Sequence, residues 1–90
     1  MDELDERIRG ADAEQLLKNK LLIEALATIE TNIVNRLAMP DIKPDDIIRM
    51  QAILAGKRAF ERYLAQIITT GKMAALQEQK RSMFDRLRSA

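Results

Sequence analysis

The dipeptide Gly71-Lys72 could belong to a phosphate-binding loop, in which backbone N–H groups and a lysine hold a nucleotide. Such a loop needs a glycine five residues before Gly71 and a serine or threonine after the lysine. Those two positions hold Gln66 and Met73, and the preceding residues have helical periodicity instead of a strand pattern. The sequence therefore excludes a phosphate loop and predicts a helix end at Gly71, because a left-handed glycine commonly follows the last helical turn.

The adjacent carboxylates Asp45 and Asp46, with Asp41 nearby, could bind a metal ion or act as an acid–base pair. The chain contains no histidine and no cysteine, so imidazole and thiolate ligands, nucleophiles and bases are missing. The two aspartates also follow Pro44, and the helix dipole favours negative charge in a first turn. The sequence therefore predicts no catalytic, cofactor or metal site, and a protein that is not an enzyme.

Charge is distributed unevenly along the chain. Residues 1–56 contain seven Lys and Arg against eleven Asp and Glu, whereas residues 57–90 contain eight against three. The basic half could contact nucleic acid through phosphates without reading a base sequence. It could equally pair with the acidic half of the same chain or of another copy, and this interpretation is favoured because few aromatic residues are present to stack on bases.

The segment "GKRAFERYLAQ" places three cations, Lys57, Arg58 and Arg62, near two aromatic side chains. Exposed aromatics among cations would favour nucleic-acid binding. The favoured interpretation instead places Phe60 and Tyr63 in the core, with the cations on the solvated side of a helix.

Cap residues and prolines divide the predicted helices. Asp12 is predicted to cap a short N-terminal helix, with Gln15 completing a capping box, and Asn19 is predicted to cap the next helix. The segment "MPDIKPDD" interrupts the helical pattern, because Pro40 disfavours helix before it and Pro44 suits the first position of a new helix.

Two long helices are predicted on either side of these prolines, over residues 20–38 and 44–70. Apolar residues three and four apart define the first one: Leu22, Leu26, Ile29, Ile33 and Leu37. The predicted inward stripe of the second consists of Ile48, Ala52, Ala55, Gly56, Ala59, Phe60, Tyr63, Leu64 and Ile67. Gly56 is predicted to let a neighbouring helix come close, and the short connector predicts an antiparallel pair. The expected fold is an all-α helical hairpin domain over residues 1–71.

Residues 72–90 are predicted to form a separate basic amphipathic helix for association. Its apolar stripe is too narrow to hold an isolated helix in water, and methionine adapts to irregular partner surfaces. The predicted partner-binding residues are Met73, Leu76, Lys80, Arg81, Met83, Phe84, Leu87 and Arg88. No apolar run approaches the roughly 18 residues of a membrane span, so no membrane association is predicted.

The run "ADAEQLLKNKLLIEALATIETNI" and the later "ITTGKMA" carry a resemblance. Together with the intervening Pro- and Asp-containing break, they resemble a family of small, largely uncharacterised all-α proteins of tailed bacteriophages and prophages over residues 11–74. Matching positions are Leu16, Leu17, Asn19, Leu21, Thr70, Gly71 and Lys72. The chain departs at Lys20, where the family often has proline, which weakens the helix start but leaves the cap. The resemblance implies a viral origin and a role in particle assembly or DNA packaging, and it transfers no catalytic residue.

The resulting expectation is a non-enzymatic phage protein that acts by protein–protein interaction, as an oligomeric assembly, virion or packaging-associated component. Its expected partners are further copies of itself or a larger phage protein, and it needs no cofactor. Its expected location is the cytoplasm of the bacterial host, and the virion if it joins the particle. Two alternatives stay open: a DNA-binding accessory of packaging or transcription, and an inhibitor of a host defence or regulatory complex.

Overall fold

The computed structural model describes residues 2–89, which form three α-helices and no strand. Helix α1 spans Glu3–Leu17, α2 spans Lys20–Leu37 and α3 spans Pro44–Ser89. The all-α prediction is therefore confirmed for the described residues. None of the three helices over residues 2–89 combines the length and the apolar character that a membrane span requires.

Contacts between residues group the chain into two units. The terminal unit combines the N-terminal segment up to Leu16 with the segment from Leu64 onward, and the central unit is Leu17–Tyr63. Helix α3 supplies its second half to the terminal unit and its first half to the central unit.

Helix α1 begins much earlier than the sequence pattern predicted. The Asp2 carboxylate accepts a hydrogen bond from the backbone N–H of Asp5 at 2.8 Å, as an N-cap does. Acidic residues fill the first turn, where the helix dipole favours them. Asp12 consequently lies in the helix interior, and its predicted role as an N-cap is wrong because Asp2 provides the cap.

The beginnings of α2 and α3 agree with the sequence prediction. The Asn19 side chain accepts a hydrogen bond from the backbone N–H of Leu22 at 3.0 Å and caps α2. Pro44 is the first residue of α3, and Asp45 and Asp46 lie in its first turn. The two prolines therefore end one helix and start the next for the predicted reasons.

Gly71 does not end a helix, and the predicted separate helix beginning at Lys72 is wrong. Helix α3 continues without interruption to Ser89, and no described glycine has a positive φ. Gly71 instead contacts α1 within the terminal unit: a Cβ added to it would lie 2.9 Å from Gly10 Cα and 2.9 Å from the Glu6 carbonyl oxygen. Glycine is required here because two helix backbones approach closely, not because a turn is left-handed.

The face of α3 that packs in the central unit is not the predicted one. Most of the predicted inward stripe is exposed, namely Ile48, Ala52, Ala55, Gly56, Ala59, Phe60 and Tyr63. The half-buried residues of α3 in the central unit include, at steps of three and four, Ile47, Met50, Leu54, Lys57 and Glu61. The sequence pattern pointed to the wrong face because the packed one contains a lysine and a glutamate.

The buried residues of the two units differ in type. The terminal unit buries Ala13, Leu64 and Ala74 together with its two glycines, Gly10 and Gly71. Among the described residues of the central unit, Ile33 alone is buried, at 3% exposure. Gly56 contributes to neither core, since a Cβ added there would meet nothing within 4 Å. Its predicted role of letting α2 of the same chain come close is therefore wrong.

Candidate interaction surfaces

The residues predicted to bind a partner are all exposed on the second half of α3. Leu87 is the most exposed of the apolar ones, at 70%. Met73, Leu76, Lys80, Met83 and Leu87 recur at steps of three and four and so share one face of the helix. That side of α3 is turned away from Gly71 and Ala74, which are buried against α1 in the terminal unit.

Two exposed ion pairs link α1 to α3 within the terminal unit. Arg81 donates to Glu3 at 2.6 Å, and Arg7 donates to Glu78. Arg81, one of the predicted partner-binding residues, therefore has an acidic partner in its own chain. Because Glu3 is the first residue of α1, residues 82–89 of α3 extend past the end that α1 covers.

A shallow groove begins at Lys80 and continues along this extension. Four of the predicted residues line it, Lys80, Met83, Phe84 and Leu87, and its volume is about 390 Å³. Met73, Leu76 and Arg88 do not line it. Three apolar side chains beside one ammonium form a surface suited to an apolar partner with an acidic edge. This group is named the tail groove.

The central unit contains an ion cluster around Lys57, a residue that the sequence pattern placed on the solvated side of the helix. Lys57 donates to Glu30 of α2 at 3.2 Å and to Glu61 of α3 at 2.8 Å, and its side chain is only 9% exposed. The hydrogen bond to Glu61 is the main cause that raises the pKa of Lys57 above 10.5, and the bond to Glu30 adds to it. Lys57 is therefore a packing residue and does not lie on the solvated side.

The aromatic residues beside Lys57 also differ from the favoured prediction. Phe60 and Tyr63 are exposed instead of lying in the core, and Arg58 and Arg62 are exposed as well. The segment therefore presents apolar, aromatic and cationic groups to the outside.

The carboxylates considered for metal binding have other roles. Asp46 accepts a hydrogen bond from Arg36 at 3.2 Å and lies 3.9 Å from Arg49. Over residues 2–89, no group of three or more acidic residues is arranged to hold a metal ion. Asp45 and Asp46 both lie in the first turn of α3, where the helix dipole favours negative charge.

The close contact of Gly10 with Gly71 is the feature that sequence analysis missed. Beside it lies a shallow cavity of about 150 Å³ in the terminal unit, with Arg7, Glu14 and Lys72 among its lining residues. The two glycines themselves were the signal in the sequence, because a glycine within a helix costs about 1 kcal/mol and needs a structural reason such as a close helix contact.

Comparison of the chain with protein-family models, with curated proteins and with solved structures found no match.

Proposed function

We propose that this chain is a non-enzymatic phage protein that acts in several copies as an assembly, virion or packaging-associated component, and that it docks on a protein partner through the tail groove. The observation that carries the proposal is the exposure of Met83, Phe84 and Leu87 beyond the end of α1. Clustered apolar side chains of this kind mark an interaction site more often than a solvated surface. The phage origin rests on the resemblance of residues 11–74 alone.

The proposal includes an antiparallel helical hairpin in the central unit. Its support is a pair of ion contacts: Arg36 with Asp46 close to the connector, and Glu30 with Lys57 further from it. The earlier residue of α2, Glu30, thus pairs with the later residue of α3, Lys57, as expected for two antiparallel helices.

The tail groove is tested by particle incorporation. We expect mass spectrometry to detect the wild-type protein in purified phage particles. The variant carrying Phe84→Glu and Leu87→Glu should be absent from them. Leu21→Glu is the matched control, since Leu21 is 74% exposed on α2 and outside the groove; this variant should be incorporated normally. Absence of the wild-type protein from particles would overturn the assembly role and favour an inhibitor or regulator of a host complex.

A DNA-binding accessory is the second candidate function. The exposed Arg58 and Arg62 beside Tyr63 favour it, because arginine and tyrosine can both stack on bases. A gel shift that weakens steeply with salt, and that is lost on neutralising the basic tail (Lys80, Arg81, Arg86 and Arg88) together with Arg58 and Arg62, would support this function over docking on a protein.

A further inference from the structure

Helix α3 has a second apolar face in the central unit, opposite the one that contains Leu54 and Lys57. We call it the outer face and define it as Ile48, Ala52, Ala55, Gly56, Ala59 and Tyr63. All six residues are exposed and none carries a charge; Ile48 is 65% and Tyr63 is 56% exposed. A helix that is apolar on two opposite sides is expected to be covered on both.

The order of residue sizes along the outer face is symmetric about a point between Ala55 and Gly56. Counting outward from that point, Ala52 corresponds to Ala59, and Ile48 corresponds to Tyr63. Large side chains thus lie at both ends and small ones lie in the middle. In an antiparallel two-fold pair of helices, each residue faces its counterpart on the other side of the centre, so this face is complementary to itself.

We propose that a second copy of this chain covers the outer face, by antiparallel two-fold pairing of α3 about the point between Ala55 and Gly56. Ile48 of each copy then packs beside Tyr63 of the other, and the alanines and Gly56 let the helices approach closely. The terminal unit already uses this type of contact between Gly10 and Gly71. The inference rests on the proposed function as a homo-oligomer and identifies its surface.

The dimensions and the flanking charges of the outer face set limits on its pairing with a second copy. The outer face extends about 24 Å at 1.5 Å per residue. With a width of about 10 Å, two such faces cover roughly 500 Å² in total, which is below the area of a standard specific interface, so the proposed pair is weak unless flanking side chains add to it. Arg49 and Arg62 flank the face on different sides, about 140° apart around the helix at 3.6 residues per turn, so the pairing does not place them together.

Disulfide cross-linking tests the pairing and its direction, because the chain has no cysteine of its own. In the full chain, Ala55→Cys lies about one residue from its symmetry mate along the axis and should be oxidised to a covalent dimer. Ile48→Cys lies about 22 Å from its mate in the antiparallel pair and should stay monomeric. The exposed Ala27→Cys on α2 is the matched control and should also stay monomeric.

Each cross-linking result has a defined meaning. Dimers of Ala55→Cys alone support the proposal. Dimers of both Ala55→Cys and Ile48→Cys would show parallel pairing and overturn the proposed direction. Absence of dimers from Ala55→Cys would overturn the interface itself, and so would equal cross-linking of Ala27→Cys.

Sedimentation of the full chain provides the second measurement. Ala55→Arg should weaken self-association by about tenfold or more, because it places a charge in the centre of the interface. Ala27→Arg should leave the association unchanged, and helicity by circular dichroism should be equal in both variants. Equal association of Ala55→Arg and the wild type would overturn the proposal.

The same measurement separates this inference from the proposed function. If the variant carrying Phe84→Glu and Leu87→Glu stays dimeric but is lost from particles, the tail groove docks on another protein and the outer face pairs the copies. If Ala55→Arg stays associated while this tail variant becomes monomeric, the outer-face inference fails and docking through the tail groove stands.

Discussion

The two units use the same helix, α3, in opposite ways. In the terminal unit α3 meets α1 at two glycines, Gly10 and Gly71, and a Cβ added to Gly10 would lie only 3.0 Å from Gly71 Cα. In the central unit a long charged side chain, Lys57, lies between α3 and α2 and bonds to both. The first contact therefore has no room for added atoms, whereas the second depends on a charge remaining in place.

The largest expected effect concerns the core of the central unit. Replacing Ile33 with alanine should lower the free energy of unfolding by about 2–5 kcal/mol, because a buried side chain is removed and leaves a cavity. Urea denaturation followed by circular dichroism measures this change. Ile23→Ala is the matched control, since Ile23 is 51% exposed on the same helix and should lose far less. Equal losses from both variants would mean that Ile33 is not the centre of packing.

A smaller effect is expected at the glycine contact of the terminal unit. Gly71→Val should destabilise the protein by about 1–3 kcal/mol, because its Cβ would meet two backbone atoms at 2.9 Å that cannot move independently. Gly56→Val places the same residue on the same helix with nothing within 4 Å in its own chain. Its free energy of unfolding should therefore stay close to that of the wild type when both are measured at a concentration low enough to keep the copies apart. Similar urea midpoints for the two variants would contradict the distinction between the glycines.

The two units also show which features of the fold could be predicted from the sequence. Helix type, the Asn19 cap and the start of α3 at Pro44 were predictable because each depends on neighbouring residues alone. The passage of α3 through Gly71 was not, because it depends on Gly10, which is distant in sequence. A glycine at the end of an apolar stripe is compatible with both a helix end and a close helix contact.

The packed face of α3 was unpredictable for a related reason. Apolar periodicity predicted that the outer face, which contains Ile48 and Tyr63, packs within the chain. It did not predict packing of the opposite face, because that face contains Lys57 and Glu61. Which of two apolar faces packs within a chain depends on what the other helix offers, and Glu30 on α2 offers a partner for Lys57. The predicted tail residues stay a prediction of partner binding, although four of them do line one groove.

The smallest expected effect is the pH dependence that arises from Lys57. Its pKa in the folded protein is raised above 10.5 by the hydrogen bond to Glu61 first and by Glu30 in addition. The folded state therefore retains the proton more strongly than the unfolded state, and this stabilisation is fully present below pH 10.5. It is lost as the pH rises through the raised pKa. The difference in free energy of unfolding between wild type and Lys57→Met should accordingly shrink between pH 8 and a strongly alkaline pH, about 11.5.

Urea denaturation at both pH values measures that difference directly. Lys18→Met is the control, because Lys18 is exposed and precedes the Asn19 cap. This variant still contains Lys57, so its free energy of unfolding should fall between the two pH values as much as that of the wild type. Subtracting each variant from the wild type removes the contribution of the other titrating groups that the two proteins share. If the difference between wild type and Lys57→Met is the same at both pH values, Lys57 stabilises the fold by packing of its aliphatic part and not by its charge. The two units would then differ only in the volume of the side chains between their helices.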